Sequence, residues 1–293
     1  MCAWHRPAAH GGYTSRMTPS ILLQHLVPQK TLSRIVRAAT RWTWTPWKDF
    51  LIGRVVRGYH VDMTEAAQPD PRSYPTFNAF FTRALRDGAR HAQGDAETVL
   101  SPVDGRVSQM GNVEAGRILQ AKGRSYTVDE LIADPKVAAD YHDGCFATLY
   151  LAPRDYHRVH MPLEGELLET VHVPGRLFSV APGPVARIPR LFGRNERLVC
   201  HFAGSHGPFV VAMVGAMLVS GISTVWNGPE VPPYARGIVR RDWRGRGVRL
   251  PRFAEMARFE MGSTVIVLLP EPARFDPLVE HARVEVGQRL GHL

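Results

Sequence analysis

The chain has 293 residues, of which 44% are hydrophobic and 22% are charged, a composition that is ordinary for a folded protein and excludes a disordered one. The formal net charge is +9, but nine Lys and Arg residues against one Asp place +8 of it within residues 1–57, which argues against a basic groove for nucleic acid across the whole fold. The three cysteines, Cys2, Cys145 and Cys200, are too few for a disulfide framework or a cysteine-built zinc site, and they favour a reducing compartment.

The N-terminal segment carries no pattern typical of secretion or of membrane spanning. Residues 1–16 lack the apolar core of a signal peptide, and a clean apolar pattern begins only at Met17. We therefore interpret residues 1–16 as a dispensable extension or a misassigned start. No stretch approaches the roughly 20 apolar residues that a spanning helix needs, so any membrane association is expected to be peripheral.

Residues 31–42 have the pattern of an amphipathic helix. Apolar residues recur at spacings i, i+3, i+4 and i+7, and arginines lie on the opposite face. The apolar positions are Leu32, Ile35, Val36 and Ala39, and the arginines are Arg34, Arg37 and Arg41.

A second amphipathic helix is predicted directly after the first. Thr45 can cap it, and Pro46 suits its first helical position. Its apolar stripe contains Trp47, Phe50, Leu51 and Val55. This part of the chain also holds most of the tryptophans, since four of the six are Trp4, Trp42, Trp44 and Trp47.

These two helices admit two interpretations. Basic faces opposite apolar ones, with tryptophans between them, suit helices that lie in an anionic lipid interface. Alternatively, the helices form a subdomain that packs on the core and leaves its arginines solvated. Periodicity leaves both interpretations open, and we expect residues 17–95 to form a helical, membrane-associating region.

Beyond residue 58 the pattern changes from helical to β-rich. Residues 70–85 predict a turn and a short aromatic helix, and from Val99 onward short apolar runs are separated by Gly and Pro. The predicted strands are residues 145–151, 165–173, 197–202, 209–214, 220–225 and 264–269. The expected fold class is α+β, with N-terminal amphipathic helices followed by a β-rich, sandwich- or barrel-like domain at residues 96–293.

Three short segments of the β-rich domain contain residues suited to catalysis. Asp104 precedes a glycine in "SPVDGRV", which is also an ordinary turn sequence. His157 and His160 lie three residues apart in "APRDYHRVHMP", a spacing compatible with acid/base chemistry or metal binding. The sequence has no H-E-x-x-H motif and no partnering cysteine, so we expect no metal site.

The third segment is Gly262-Ser263-Thr264, at the start of a strongly apolar run. Ser263 does not fit the G-x-S-x-G pattern of a hydrolase, because the strand follows the serine instead of preceding it. A serine hydroxyl can attack the carbonyl of its preceding residue if the backbone bends, and glycine permits that bend. Ser263 is therefore either the polar start of a buried strand or a self-cleavage site.

Six segments in this order resemble the phosphatidylserine decarboxylase family of pyruvoyl-dependent enzymes, in its bacterial short form. They are "YPTFNAFFTRAL", "SPVDG", "APRDYHRVHMP", "NERLVCHF", "STVWNG" and "EMGSTVI". The resemblance extends from about Met17 to Leu269. It gives the amphipathic N-terminus a purpose, since the family's substrate is a lipid.

The resemblance implies a self-cleavage step that depends on Asp104, His160 and Ser263. Asp104 would orient His160, and His160 would take the hydroxyl proton while Ser263 attacks the Gly262 carbonyl. Elimination and hydrolysis would then leave a pyruvoyl group, a covalent cofactor derived from Ser263, and release ammonia. The products would be a long chain ending at Gly262 and a 31-residue short chain, residues 263–293.

The resemblance also implies the reaction of the mature enzyme. The pyruvoyl carbonyl would form a Schiff base with phosphatidylserine and act as electron sink for CO2 loss. His157 would donate the proton that completes phosphatidylethanolamine. The implied partners are an anionic membrane surface at the cytoplasmic face of the cell membrane and the second chain of a cleaved heterodimer, with further dimerisation as a suggestion of the family.

Two other classes of protein remain compatible with the residues. One is a pyruvoyl enzyme that acts on a soluble amino acid, which would not need the basic, tryptophan-rich N-terminus. The other is a noncatalytic lipid-surface protein with a vestigial fold, which would have no reason to keep Asp104, His157, His160 and Ser263 together.

Overall fold

The structure of the protein, a computed structural model, describes Gln24 and residues 26–121, 123–217, 221–231, 236–260 and 263–293. The predicted extension at residues 1–16, its neighbour Met17 and the predicted cleavage-site residue Gly262 lie outside these residues.

Two consecutive helices form the N-terminal part of the described chain, as the sequence predicts. They are α1 (Gln29–Arg41) and α2 (Thr45–Tyr59). Thr45 is the first residue of α2 instead of its cap, and no side chain caps this end. A one-turn 3-10 helix at Pro71–Ser73 and the short aromatic helix α3 (Phe77–Phe81) follow, and the side chain of Thr76 caps α3.

The polar side of α1 faces the protein. Its buried residues are Gln29, Ser33 and Thr40, whereas Ile35 from the apolar stripe is 62% exposed. Arg37 and Arg41 form ion pairs with Glu260, on the β-rich part of the chain. These two arginines are therefore paired with the β-rich part of the chain and remain about a third exposed.

The β-rich domain contains short helices and many strands. The helices are α4 (Val128–Ile132), α5 (Pro135–Ala138), α6 (Pro182–Arg187) and α7 (Leu191–Arg194), with a 3-10 turn at Ala139–Tyr141. In chain order, the strands of the described residues are β1 (Thr98–Leu100), β2 (Gly105–Asn112), β3 (Arg117–Ala121), β4 (Arg124–Thr127), β5 (Cys145–Leu151), β6 (Arg158–His160), β7 (Gly165–Val173), β8 (Arg197–Gly204), β9 (Gly207–Gly215), β10 (Ile222–Thr224), β11 (Gly228–Pro229), β12 (Val239–Asp242), β13 (Arg249–Leu250), β14 (Glu255–Phe259), β15 (Ser263–Leu269), β16 (Arg274–Phe275), β17 (Arg283–Val284) and β18 (Arg289–His292).

The largest sheet has the order β12-β7-β8-β9-β15-β5-β2-β17, with β13 paired to β7. Its neighbouring strands are antiparallel, and the described strands do not close into a barrel. Among the described residues, three smaller sheets accompany it, including β11-β10-β14-β6. Helices followed by a multi-sheet β domain confirm the predicted α+β class.

Strand β15 lies in the middle of the large sheet and is buried along its whole length. Val265, Val267 and Leu269 face one hydrophobic core, and Ile266 and Leu268 face a second core on the other side. Because both faces of the sheet are covered, β15 is a continuous apolar run instead of an alternating one. This architecture fixes the position of Ser263 at the end of a rigid central strand.

Candidate active site

Ser263 is the first residue of β15 and is paired on both sides. It lies opposite Leu151 of β5 and Gly215 of β9, and it is only 1% exposed. Its Oγ has no hydrogen-bond partner among the described residues. Buried polar groups in native proteins are almost always hydrogen-bonded, so the Ser263 hydroxyl, like several other buried polar atoms of the described residues, lacks the partner expected of it.

A cavity of about 260 Å³ borders Ser263. Its walls come mostly from the N-terminal helices and from the loops at the ends of β5, β7 and β9. The residues that line it besides Ser263 are Val55, Tyr59, Phe77, Phe81, Tyr150, Leu151, Pro153, Ser179, Val180, Ala181, Ala216 and Met217. These walls are predominantly apolar, and α2 and α3 supply four of the side chains.

His157 lies between β5 and β6 and is completely buried. Its ring lies against Phe81, with centroids 4.0 Å apart, and Phe81 also lines the cavity beside Ser263. Nδ1 is 2.8 Å from the carbonyl oxygen of Asp155, and since a carbonyl only accepts, Nδ1 carries the hydrogen. The Nε2 atom of the neutral ring is then a free base, and it has no partner among the described residues.

The burial of His157 keeps its ring neutral. Removal of the ring from water, with a smaller contribution from the nearby Arg83, lowers the pKa of His157 to about 3 despite the opposing effect of the Asp155 carbonyl. At neutral pH the side chain is therefore an uncharged imidazole with a bare Nε2.

His160 is the last residue of β6, and both of its nitrogens are engaged. Nδ1 donates to the carbonyl oxygen of Phe253 at 2.7 Å, and Nε2 accepts from the hydroxyl of Tyr156 at 3.1 Å. Burial lowers the pKa of His160 and raises the pKa of Tyr156, so the ring is neutral and the phenol stays protonated. The Nε2 atom of His160 can therefore act as a base once the hydrogen bond from Tyr156 is broken.

Asp104 lies between β1 and β2 and is held by a buried arginine. Arg90 donates two hydrogen bonds to it, of 3.0 and 2.6 Å, and the amide of Val286 donates a third of 2.8 Å. Arg90 also bonds both carboxylate oxygens of Glu65. Asp104 and Tyr156 line a common polar pocket of about 130 Å³.

The structure brings these residues into two neighbouring groups. His157 packs against Phe81, which lines the same cavity as Ser263. Asp104 shares a pocket with Tyr156, the hydrogen-bond partner of His160. Within the described part of the chain, no hydrogen bond joins Asp104 to His160 or His160 to Ser263.

Sequence reasoning did not identify three residues of this region. Tyr156, which covers His160, lies inside the "APRDYHRVHMP" segment and could have been found there. Glu260 is the first residue of the "EMGSTVI" segment and could likewise have been found there. Arg90 lies outside all six segments, and only the folded structure shows its contact with Asp104.

The described residues lack two features, a metal-binding cluster and a membrane-spanning helix. They contain no group of three or more His, Cys, Asp or Glu side chains placed to hold a metal ion. Within the same residues, no helix has the length and apolarity to cross a bilayer.

Comparison with known proteins places these residues in a family context. The family model described as phosphatidylserine decarboxylase matches residues 77–292, and a model described as PSD matches residues 19–60. The chain is 55% identical to the phosphatidylserine decarboxylase proenzyme of Xanthomonas campestris pv. campestris (strain B100), over 92% of this chain and 96% of that protein. It is also 55% identical to the proenzyme of the same name from Stenotrophomonas maltophilia (strain R551-3), over 94% of this chain and 100% of the relative.

Proposed function

Because this chain belongs to the phosphatidylserine decarboxylase family, we propose that it is made as a proenzyme, cleaves itself between Gly262 and Ser263, and then converts phosphatidylserine to phosphatidylethanolamine. Membership of the family makes it a decarboxylase. The observation that carries the proposed mechanism is Ser263, a buried serine with an unpaired Oγ at the start of the central strand, beside an apolar cavity. The relatives' description as proenzymes supports a processing step.

In the proposed cleavage, Ser263 is the nucleophile and His160 the base. The Nε2 atom of His160 has the lone pair that can accept the hydroxyl proton, because Nδ1–H is committed to Phe253. Tyr156 must first release Nε2, and Asp104 would then stabilise the imidazolium. As Oγ bonds to the Gly262 carbonyl carbon, the peptide C–N bond breaks, and the Ser263 nitrogen takes the proton.

The resulting ester of Ser263 then undergoes elimination. Removal of the Ser263 α-proton expels the Gly262 carboxylate and leaves a dehydroalanine, which tautomerises to an imine. Water hydrolyses the imine to a ketone and releases ammonia. The long chain then ends in the Gly262 carboxylate, and the short chain begins with a pyruvoyl group.

The residues around Ser263 fit a pyruvoyl group. Conversion of Ser263 would break no hydrogen bond, because its Oγ has no partner among the described residues. The cavity beside it has room for a substrate head group. When present, the group supplies a carbonyl that accepts the substrate amine and withdraws the electrons left by CO2.

His157 is the proposed proton carrier for decarboxylation. Its bare Nε2 cannot donate a proton in the resting protein, because the neutral ring keeps its hydrogen on Nδ1. The substrate's ammonium group must lose a proton before its nitrogen can react. We assign that proton to Nε2, from which it is returned to the carbon that loses CO2.

The two chains would remain together after cleavage. The short chain begins with β15, which is hydrogen-bonded along its length to β5 and β9 of the long chain. Its apolar side chains contribute to both cores of the domain. A heterodimer that needs no covalent link is therefore expected.

The exposed aromatic side chains of α2 and of the turn before it are the proposed membrane contact. Trp42 and Trp44 are each 54% exposed, with ring centroids 5.3 Å apart, and Phe50 is 55% exposed. Tryptophan favours the membrane–water interface, and α2 also walls the cavity. We infer that the enzyme is peripheral and takes its substrate from the membrane on the side of α2. The thiols of Cys145 and Cys200 are not in disulfides, which is consistent with the reducing environment at the cytoplasmic face.

The test combines a denaturing gel with an activity assay on vesicles that contain phosphatidylserine. The wild-type protein should appear as two chains and release phosphatidylethanolamine, whereas Ser263→Ala should stay a single chain and release none. Ser205→Ala, which removes an exposed hydroxyl from the turn between β8 and β9, is the matched control and should behave as wild type. Normal cleavage of Ser263→Ala would refute the mechanism.

A further inference from the structure

Glu260 directly precedes the two residues that lead into Ser263, and its carboxylate is held by two other elements. Ser223 of β10 donates a hydrogen bond of 2.9 Å to one carboxylate oxygen. Arg41 of α1 donates to the other oxygen, and Arg37 of the same helix lies 3.5 Å from it. The Glu260 side chain is 13% exposed, so these contacts form in a largely buried position.

The backbone of Glu260 is fixed as well. Its amide donates to the carbonyl oxygen of Gly221 at 2.9 Å. The absence of a side chain at Gly221 makes room for the carboxyl group, because a Cβ atom there would lie 2.5 Å from Oε2 of Glu260 and 3.0 Å from its Cβ. Backbone and side chain thus hold this residue in one place.

The N-terminal end of α1 and Gln24, which precedes the helix, bind the segment that forms one wall of the Ser263 cavity. The side-chain oxygen of Gln29 accepts from the amide of Leu177 at 2.9 Å, and that of Gln24 accepts from the amide of Ser179 at 3.0 Å. Ser179 lines the cavity. Gln24 is tied to α1, because Nε2 of Gln29 donates to its carbonyl oxygen at 2.7 Å. A 13-residue helix is about 20 Å long, so α1 and Gln24 together connect the cavity wall to the chain before Ser263.

Partly exposed ion pairs contribute little to the stability of a folded protein. Arg37 and Arg41 are each about a third exposed. Charge-assisted hydrogen bonds do, however, fix geometry. Geometry is what intramolecular attack requires, because the reacting atoms must approach to about 3–3.5 Å in the correct alignment.

We propose that Glu260 is a positioning residue for self-cleavage, held in place by Arg41 and Arg37 of α1. This inference rests on the proposed cleavage between Gly262 and Ser263. The N-terminal helix then has a role in maturation that is separate from any contact with lipid. Loss of the contact displaces the segment before the scissile bond, and a displacement of 1 Å can slow a positioned reaction by about 10²-fold.

The test measures how fast the short chain appears after cell-free synthesis in detergent, without vesicles. Glu260→Gln keeps the size of the side chain and removes its charge, and Arg41→Glu reverses the opposing charge. We expect each to slow cleavage by roughly 10- to 100-fold. The exchanged pair, Glu260→Arg with Arg41→Glu, restores one ion pair but not the bond from Ser223, so it should cleave faster than either single variant and slower than wild type. Lys30→Glu, which reverses a charge at the other end of α1, should cleave normally.

Thermal unfolding of the same variants in a Ser263→Ala background separates positioning from folding. Unchanged melting temperatures with slow cleavage in the parent background support positioning. Wild-type cleavage rates for Glu260→Gln and Arg41→Glu, or an exchanged pair as slow as the single variants, would overturn the inference while leaving the proposed function intact. A wild-type chain that is never cut overturns both.

Discussion

Replacement of Trp42 and Trp44 by alanine tests how the protein reaches its lipid substrate. A tryptophan has about 150–250 Å² of surface, and each of these is 54% exposed, which leaves on the order of 100 Å² available. If half of that area enters the lipid interface, each ring contributes about 1.3 kcal/mol at roughly 25 cal/mol per Å². The double variant should therefore lose about 2.5 kcal/mol, or on the order of 50- to 100-fold in vesicle affinity.

The assay is co-sedimentation with anionic vesicles over a range of salt concentrations. Arg37 and Arg41 are paired with Glu260, so we expect much of the wild-type binding to persist at salt concentrations that screen exposed charges. Val279→Ala, at an apolar residue that is 77% exposed in the C-terminal part of the chain, is the control and should bind normally. Unchanged binding by the double tryptophan variant, together with loss of wild-type binding in high salt, would refute the reasoning.

Three further predictions concern the site and its strand. His157→Ala should still yield both chains on a denaturing gel but lose about 10²–10⁴-fold in phosphatidylethanolamine production; an uncut variant would place His157 in maturation instead. The pKa of His157 is about 3 in the folded protein, against an ordinary 6.5, so between these pH values only the unfolded state binds a proton at this ring. The free energy of unfolding should therefore fall as pH drops from 6.5 to 3, by up to about 4 kcal/mol. Denaturant titrations of Ser263→Ala should show this fall, and the added substitution His157→Gln should make the free energy depend less on pH. Native size-exclusion chromatography should elute the cleaved chains together, with separation only in denaturant, because β15 is paired on both sides; separate native elution would contradict this account.

Local patterns predicted the elements of the fold well. The strands expected at residues 145–151 and 165–173 have those bounds in the structure, and the strand expected from Thr264 begins one residue earlier, at Ser263. Continuous apolar runs bounded by turn residues are strong signals for buried strands. The sequence pattern also predicted both N-terminal helices, α1 and α2.

Periodicity could not predict how α1 packs. A helical pattern identifies the apolar face, but which face is buried depends on the residues that the rest of the chain packs against the helix. In the structure, Gln29 accepts from the backbone amide of Leu177 and Arg41 pairs with Glu260, so the polar face packs inward and Ile35 is exposed.

The candidate site shows the same limit. The family-like segments indicated Asp104, His157, His160 and Ser263, but not the atoms that these residues contact. Arg90 on Asp104 and Tyr156 on His160 follow from tertiary packing and local loop geometry. These contacts determine which proton positions are available for chemistry.

The most direct test of the central claim is the intact mass of the purified wild-type protein. We predict a long chain ending at Gly262 and a short chain of residues 263–293 that is lighter than the corresponding hydrolysed peptide by one ammonia, as a pyruvoyl terminus requires. A single chain of 32.7 kDa, or a short chain that begins with an unmodified serine, would contradict the account.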